Sequence, residues 1–568
     1  MAHEGAQQQP YLPESHRMAQ LTPVPLAAID RRNFIRGGLA GAGILALPGA
    51  ALAAAAAAGF SHGVASGEPG PDRMLLWTRY VGPAGASAAL RFEVSETLDF
   101  ARIVSGGDVS AVEERDWCAK VVATGLQPGR WYYYRFVGPA GKISPVGRTR
   151  TLPVGKVDRF RMAVFSCSNL GFGWFNAYAQ AAEDGAFDAV VHLGDYYYEY
   201  QKGEYPSLKQ IVAGRELLPE NEIVTLGDYR LRHADYRADP DLQRLFQLQP
   251  WIMVWDDHET ANDSWKGGAE NHQPDKEGSW PLREAAAMRA YHEWLPVSDE
   301  TWAAYEIGDL ATLFRLETRL TAREKQFDLA TIAKGSDAEV ATALARFRDG
   351  AWRDPARTLM GAKQEAWLAA GLKASRRAGK PWQVLAQQIV MGSLLLPGDL
   401  ADGMRADSPD YVRQRIRNGV SASKAGLPFN MDAWDGYPAA RDRLLASARA
   451  ADANLVVLSG DSHNAWANNL SSGKAAAGVE FGGHSITSPG AESSLPWIKP
   501  ERMAAESVAI NPGLKWCDTA QRGYMAVELT PARSTCEWRF METIRQRSTR
   551  LARGHTMAVE VGRNVFAA

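Results

Sequence analysis

Five apolar runs along the chain end in the same way. FDAVVHL is followed by Gly194, Asp195 and Tyr198, and RMAVF by Cys167 and Asn169. PWIMVW leads into Asp256, Asp257, His258, Glu259 and Asn262, ATLFRL into Glu317 and Arg319, and ANLVVLSG into Asp461 and His463. Short apolar runs that stop at turn residues read as buried strands. The residues just past such strands are where open α/β sheets collect ligands and catalytic groups. Amphipathic or Ala-rich stretches near 174–184, 282–294, 363–376 and 439–451 alternate with these runs, which predicts a layered α/β domain over 154–568.

Ahead of it, residues 56–153 carry no long helical pattern. Short, partly alternating runs (RMLLWTRY, AALRFEVSE, CAKVVAT, RWYYYRFV, VGRTRTL) are separated by turn signals such as GPAG, SGGD and QPGR, as in a small antiparallel sandwich. Leu126-Gln127-Pro128-Gly129 before the aromatic run Trp131 to Phe136 resembles the corresponding part of fibronectin type III-like domains. The stretch from Tyr200 to Asp241 is too irregular for core and reads as a partial cover of the site, as does Asn418 to Tyr437.

Residues 1–55 read as an address rather than as fold. Arg31-Arg32 precedes a weakly apolar Gly/Ala/Leu segment with no stop-transfer charges after it, the form of a twin-arginine export signal. This predicts a periplasmic or secreted protein with the twin-arginine machinery as an export partner and no permanent membrane span after processing. Lys+Arg 63 against Asp+Glu 65 leaves a formal charge of -2, which argues against nucleic acid as a structural partner. Four cysteines in 568 residues are too few for a disulfide scaffold. A single bridge among Cys118, Cys517 and Cys536 stays open, and Cys167 stands apart because of its place beyond a strand.

Taken singly, these polar residues have ordinary explanations. Cys167 reads as a small buried hydrophobe, Tyr198 as packing, Glu317 with Arg319 as an ion pair, and His192 as a core histidine. Together, Cys167, Asp195, Tyr198, Asp257, Asn262, Asp461 and His463 form a metal-ligand set. A thiolate with a phenolate favours a high-charge transition ion such as Fe(III), while Asp257, Asn262 and Asp461 offer hard oxygens for Ca or Mg. Five ionised side chains in one place demand multivalent cations, and the resulting positive cavity attracts phosphate. A metal-bound hydroxide is then the natural nucleophile on a phosphoester. His258 is the candidate to protonate the leaving group or steady the phosphoryl oxygen, oriented by Asp256 or Glu259, and Arg319 the fixed positive fork.

The motifs HGVASGEPGPDRMLLWTR (62–79), FSCSN (165–169), HLGDYYYE (192–199), WDDHETAND (255–263), LETR (316–319), SGDSHN (459–464), ITSPG (486–490) and NPGLKWCDTAQRGY (511–524) resemble the alkaline phosphatase D (PhoD-like) family, whose catalytic domain is similar to purple acid phosphatases. The resemblance implies a four-layer αββα metallophosphoesterase domain behind a small β-sandwich. It also implies Fe(III) with one or two Ca(II), and activity on small or polymeric phosphodiesters and phosphomonoesters at alkaline pH. By position, Cys167, Asp195, Tyr198 and His463 match iron-side ligands and Asp257, Asn262 and Asp461 the calcium side, where other divalent ions also suit the oxygen donors. Glu317 stands where Asp is more usual, and Gln388 where Asn is. Two other readings remain: a thiol hydrolase with Cys167 as nucleophile and His258 as base, and a non-catalytic metal-bearing binding protein.

Overall fold

The structure, a computed structural model, describes residues 59–404 and 410–567; the export signal read at 1–55 lies outside them. The N-terminal region contributes β1 (Gly59–Gly67), β2 (Arg73–Val81), β3 (Ser87–Ser95), β4 (Ile103–Val112), β5 (Cys118–Thr124), β6 (Trp131–Val137) and β7 (Gly147–Arg150). The first strands of the larger region are β8 (Phe160–Phe165), β9 (Ala189–His192) and β10 (Pro250–Met253). They are followed by β11 (Ala303–Ile307), β12 (Ala311–Arg315), β13 (Trp382–Ala386), β14 (Leu455–Ser459), β15 (Ala465–Ser472), β16 (Ala475–Gly482) and β17 (Leu514–Asp518). The chain closes with β18 (Gly523–Leu529), β19 (Arg533–Phe540) and β20 (His555–Glu560).

Two mixed sheets face each other. One has nine strands in the order β20-β19-β18-β8-β9-β10-β1-β2-β5, the other seven in the order β11-β12-β13-β14-β16-β15-β17. Both have a parallel heart, β8-β9-β10 in the first and β12-β13-β14 in the second. Strand alternation sends neighbouring side chains to opposite faces. Met162, Val164, Val191, Leu313, Val456 and Leu458 meet between the sheets. Ala163, Phe165 and Val190 face out onto the helices Asn176–Asp184, Leu226–Arg237, Pro240–Leu248 and Trp280–Trp294, while Phe314, Leu455 and Val457 face Gly361–Arg377 and Pro438–Ala450. The larger region is therefore a four-layer αββα sandwich. Both faces of its parallel strands are covered, which is why those strands read as unbroken apolar runs. Each fully buried aliphatic or aromatic side chain contributes roughly 1.5–3 kcal/mol.

The N-terminal all-β region is not sealed off from this domain. Its second sheet, β4-β3-β6-β7, packs on β1-β2-β5 through Met74, Leu76, Phe92, Tyr132 and Phe136. The first of these sheets runs on into the nine-stranded sheet, because β1 pairs in parallel with β10 at Ser66↔Pro250 and Gly67↔Trp251. Gly67 makes that junction: a Cβ there would lie 2.1 Å from the carbonyl oxygen of Pro296.

Two sequence expectations fail here. SGGD is not a turn but the middle of β4, where Gly107 lies under the Phe92 ring, 3.0 Å from where a Cβ would stand. Tyr200 to Asp241 is not all cover, since Leu226–Arg237 is a helix with Tyr229, Ala234 and Tyr236 in the core. All four cysteines are free and buried. Among the described residues no helix is long and apolar enough to cross a membrane.

Candidate metal centre and active site

The parallel strands of both sheets end on the same edge, and their loops are packed back to back. A Cβ on Gly194, after β9, would come within 2.4 Å of Asp256 Cβ, after β10. One on Gly460, after β14, would meet Ser166 Cβ, after β8, at 2.7 Å. Across the sheets, Gln388 donates to the carbonyls of Trp255 at 2.8 Å and Leu316 at 3.1 Å, and accepts from Thr318 Oγ1 at 2.6 Å.

In this crowded edge four of the proposed ligands adopt left-handed backbone: Cys167 at φ 60°, Asp195 at 53°, Asp461 at 63° and His463 at 61°. Such residues cost on the order of 1–3 kcal/mol each and collect at functional sites. The conformation turns the chain sharply at the strand end, so that residues of one loop reach a common point. Cys167, Asp195 and His463 offer donor atoms within 4.8 Å of one another. The Tyr198 hydroxyl lies among them, 3.1 Å from Asp195 Oδ2, 3.0 Å from His463 Nε2 and 2.8 Å from Ser488 Oγ, which donates to it. The opposite ring nitrogen of His463, Nδ1, faces the Pro489 carbonyl at 2.9 Å, which orients Nε2 toward the cluster.

Beside it, Asp256, Asp257 and Asp461 form a second group, and Asp257, Asp263 and Asp432 a third, each within 4.8 Å. Asp257 accepts from the backbone amides of His258 at 3.0 Å and Asp263 at 2.6 Å. Asn262 is placed differently. Its backbone amide donates to Glu199 at 2.7 Å, and its side-chain nitrogen is turned to Glu270 at 3.1 Å.

The positive residues are also placed differently from the sequence expectation. Arg319 is wholly buried and its guanidinium is used up by carboxylates: Asp256, Asp432 at 2.7 and 2.9 Å, and Asp461 at 3.0 Å. It is the central cation of an acid cluster, not a free fork. Asp256 is bound to Arg319 and does not orient His258. Glu259 does not either, because its two oxygens take the backbone amides of Asp195, Tyr196 and Asp256 at 3.1, 2.6 and 2.8 Å. The partner of His258 is Glu199, whose Oε2 is 2.6 Å from Nδ1, and a ring nitrogen of His258 lies within 4.8 Å of carboxylate oxygens of Asp195 and Asp257. Glu317 makes no ion pair with Arg319; it accepts from the amides of Arg319 and Leu320, both at 2.7 Å, and from Trp255 Nε1 at 3.1 Å.

Sequence reading missed Glu199, Asp432 and Asp263. Glu199 closes the GDYYYE motif and its sequence gave no sign of pointing inward. Asp432 follows no apolar run. His192 and His484 lie in packing roles, against Tyr178 and the Arg539 carbonyl, and Asn169 caps Gly171.

The charge state of the cluster follows from its burial. Burial, followed by the surrounding acids, pushes the Cys167 thiol, the Tyr198 phenol and the Asp195 and Asp461 carboxyls well above their ordinary values. Burial likewise lifts Asp256 to about 7 against the pull of Arg319. Burial would raise Asp257 too, but Arg319 and His258 hold it below the usual carboxylate range. For His258 burial is outweighed by Glu199, Asp257 and Asp195, which keep it protonated. Burial drives His463 down to about 3, so it is a neutral imidazole, the form that binds metal.

These residues fit a bound cation. Asp195 Oδ1 and Asp256 Oδ2 are buried with no hydrogen-bond partner, and an orphaned carboxylate oxygen of this kind costs free energy unless something positive meets it. Thiol, phenol, carboxylate and neutral imidazole in one place form a soft and anionic donor set, and the Asp groups form an all-oxygen one. The environment runs against the thiol hydrolase reading. A nucleophilic cysteine needs a lowered pKa, whereas Cys167 is fully buried and held protonated, and His258 is committed to Glu199.

Comparison with known proteins identifies the family. Residues 162–538 match the family model described as PhoD-like phosphatase, and residues 47–153 the model described as PhoD-like phosphatase, N-terminal domain. The chain is 33% identical over 549 residues to alkaline phosphatase D of Bacillus subtilis (strain 168), covering 90% of this chain and 84% of that protein. A solved structure described as that of PhoD superposes with a TM-score of 0.74 at 30% identity, covering 90% of this chain and 92% of that one. With the family model spanning most of the chain and the αββα site edge in place, the chain belongs to the PhoD-like phosphatase family of phosphoester hydrolases.

Proposed function

We propose that the chain is an exported alkaline phosphatase or phosphodiesterase working through a mixed metal centre. Its soft side would be held by Cys167, Asp195, Tyr198 and His463 and take Fe(III). Its oxygen side would be built from Asp257 and Asp461 and take one or two Ca(II) or related divalent ions. The observation that carries this reading is the meeting of Cys167, Asp195 and His463 donors within 4.8 Å around a carboxylate whose Oδ1 has no other partner. When bound, the cations supply Lewis acidity toward phosphoryl oxygen and lower the pKa of an attacking water.

The protein's own groups do the rest. His258, held protonated with Nδ1 on Glu199, lies beside the cluster and can pass a proton to the departing ester oxygen. Arg319 keeps four acids from repelling one another, and so sets their spacing without touching substrate. Glu259 ties the Asp195 loop to the Asp256 loop. Asn262 stays in the proposed shell only if its side chain leaves Glu270. The Arg31-Arg32 signal supports periplasmic or secreted placement after export in the folded state.

The test is elemental analysis of protein folded in its normal host, wild type against Cys167→Ala. Iron with calcium in the wild type, and iron selectively lost from the variant, is the expected result. An active wild type without stoichiometric metal would overturn the mechanism.

A further inference from the structure

Arg215, Arg283, Arg319 and Arg323 are buried, and each is paired with a carboxylate. Arg232, on the helix Leu226–Arg237, is buried as completely, yet its guanidinium goes to main-chain carbonyls alone. Nε donates to Leu218 at 2.8 Å, Nη1 to Tyr198, and Nη2 to Pro219 at 3.1 Å and Tyr200 at 3.3 Å. Two of these carbonyls belong to the loop that carries Glu199, and they lie on either side of it. The carbonyl of Glu199 itself accepts from the Ile223 amide at 3.0 Å. Three successive peptide groups are therefore tied down.

The same helix also holds the facing loop. Tyr229 lies three residues before Arg232, a spacing that puts both on one helix face, and its hydroxyl donates to the Thr260 carbonyl at 2.6 Å. Thr260 is two residues past His258. One face of one helix thus grips the loop of Glu199 and the loop of His258, whose side chains meet at 2.6 Å.

We propose that Arg232 is a positioning residue for the proton donor: by fixing the peptide planes around Glu199 it aims that carboxylate at His258 Nδ1, while Tyr229 holds the His258 loop opposite. The inference rests on the reading of His258 as donor to the leaving group. A residue has only two soft backbone dihedrals. Those of Glu199 are set once the planes before and after it are held, the first by Arg232 through the Tyr198 carbonyl, the second by the Ile223 amide. The direction of the Glu199 side chain is then set as well. A guanidinium suits this task because its N–H groups point in fixed directions from one plane, so a single side chain can hold two loops in register. Burying a charge without a carboxylate is costly, and packing of the helix alone would not call for one.

The test begins with Arg232→Lys, which keeps the charge but gathers its donors on one nitrogen, too few points to span both loops. A crystal structure of the metal-free variant should show Glu199 Oε2 withdrawn from hydrogen-bond reach of His258 Nδ1. An unchanged contact overturns the proposal whatever the activity. A small misplacement of a reacting group costs up to about 10²-fold, so kcat on alkyl phosphoesters should fall at least about tenfold. On nitrophenyl esters it should fall less than about threefold, with KM for both classes nearly unmoved. Adding Arg232→Lys to Glu199→Gln should cost alkyl esters nothing further, because both changes break one contact. Equal losses on the two classes, or multiplying losses in the double variant, mark a merely structural arginine and overturn the proposal. If Glu199→Gln alone costs both classes equally, the donor reading of His258 fails, and the crystal contact still decides the positioning role. Tyr229→Phe removes one hydrogen bond and little volume, and serves where the lysine variant does not fold. The same selective loss, smaller in size, is expected of it; wild-type kinetics with an unmoved Glu199 overturn the proposal.

Discussion

Glu199 Oε2 lies 2.6 Å from His258 Nδ1, and its other oxygen takes the backbone amide of Asn262 at 2.7 Å and the Asn271 side chain at 2.9 Å. One carboxylate thus fixes the ring orientation of His258, favours its protonated form and anchors the loop beyond Asp257. In the proposed mechanism this arrangement suits His258 to the part of proton donor rather than base.

A prediction follows for leaving groups. Glu199→Gln keeps the hydrogen-bonding shape but removes the charge, so His258 loses much of its hold on the Nε2 proton. General acid catalysis contributes about 10²–10⁴-fold where the leaving oxygen is a poor one. The variant should lose about 10²-fold in kcat on alkyl phosphoesters and far less on nitrophenyl esters, whose leaving group departs unprotonated. Equal losses on both, measured side by side, would remove His258 from the donor role.

Metal uptake should release protons. Without a cation, burial and mutual repulsion hold Cys167, Tyr198 and Asp195 protonated, and ligation must displace those protons. Titrating metal-free protein anaerobically with ferrous ion, which does not hydrolyse at pH 7, in weak buffer should liberate about two protons per ion, read with an indicator dye. Cys167→Ala should liberate about one fewer. Uptake without proton release would mean that these groups are not the ligands.

Gly194 should tolerate no side chain. Its φ of 104° and the 2.4 Å approach of Asp256 Cβ exclude a Cβ on two grounds. Gly194→Ala should cost about 2–4 kcal/mol in chemical denaturation and weaken metal retention, because relief of the clash spreads the Asp195 and Asp256 loops. Wild-type stability and metal content in this variant would contradict the close packing of the two strand ends.

How much of this was legible in the sequence depended on where each residue sits relative to a strand. Cys167, Asp195 and His463 follow apolar runs directly, and the folded chain brings them together. Asp432 arrives from a loop with no strand before it, and its role shows only through Arg319 and Arg323. The helix Leu226–Arg237 escaped notice because its inward face is Tyr229, His233, Tyr236 and Arg237 rather than aliphatic, so its buried side looked polar. In the same way β1, rich in Gly and Ser, carries no strand-like pattern, although it is the strand that joins the N-terminal sheet to the central one.

His233 supplies a stability prediction with a definite sign. Burial, and then Arg237, lower its pKa from 6.5 to about 3, and neither ring nitrogen has a partner. Between those limits the unfolded chain takes up a proton at this residue and the folded chain does not. Its contribution to stability is therefore intact above about pH 6.5, falls as pH drops through that window, and is fully lost below about 3. At pH 5 the loss is about 2 kcal/mol, from about 1.36 kcal/mol per pH unit. His233→Phe keeps a flat ring beside Trp294, now 6.2 Å away and nearly parallel, and has nothing to protonate. The stability difference between variant and wild type should move by about 2 kcal/mol in favour of phenylalanine from pH 7.5 to pH 5, measured by denaturant unfolding at both. A difference that stays constant would mean that His233 reaches water or a proton-accepting partner in the folded state.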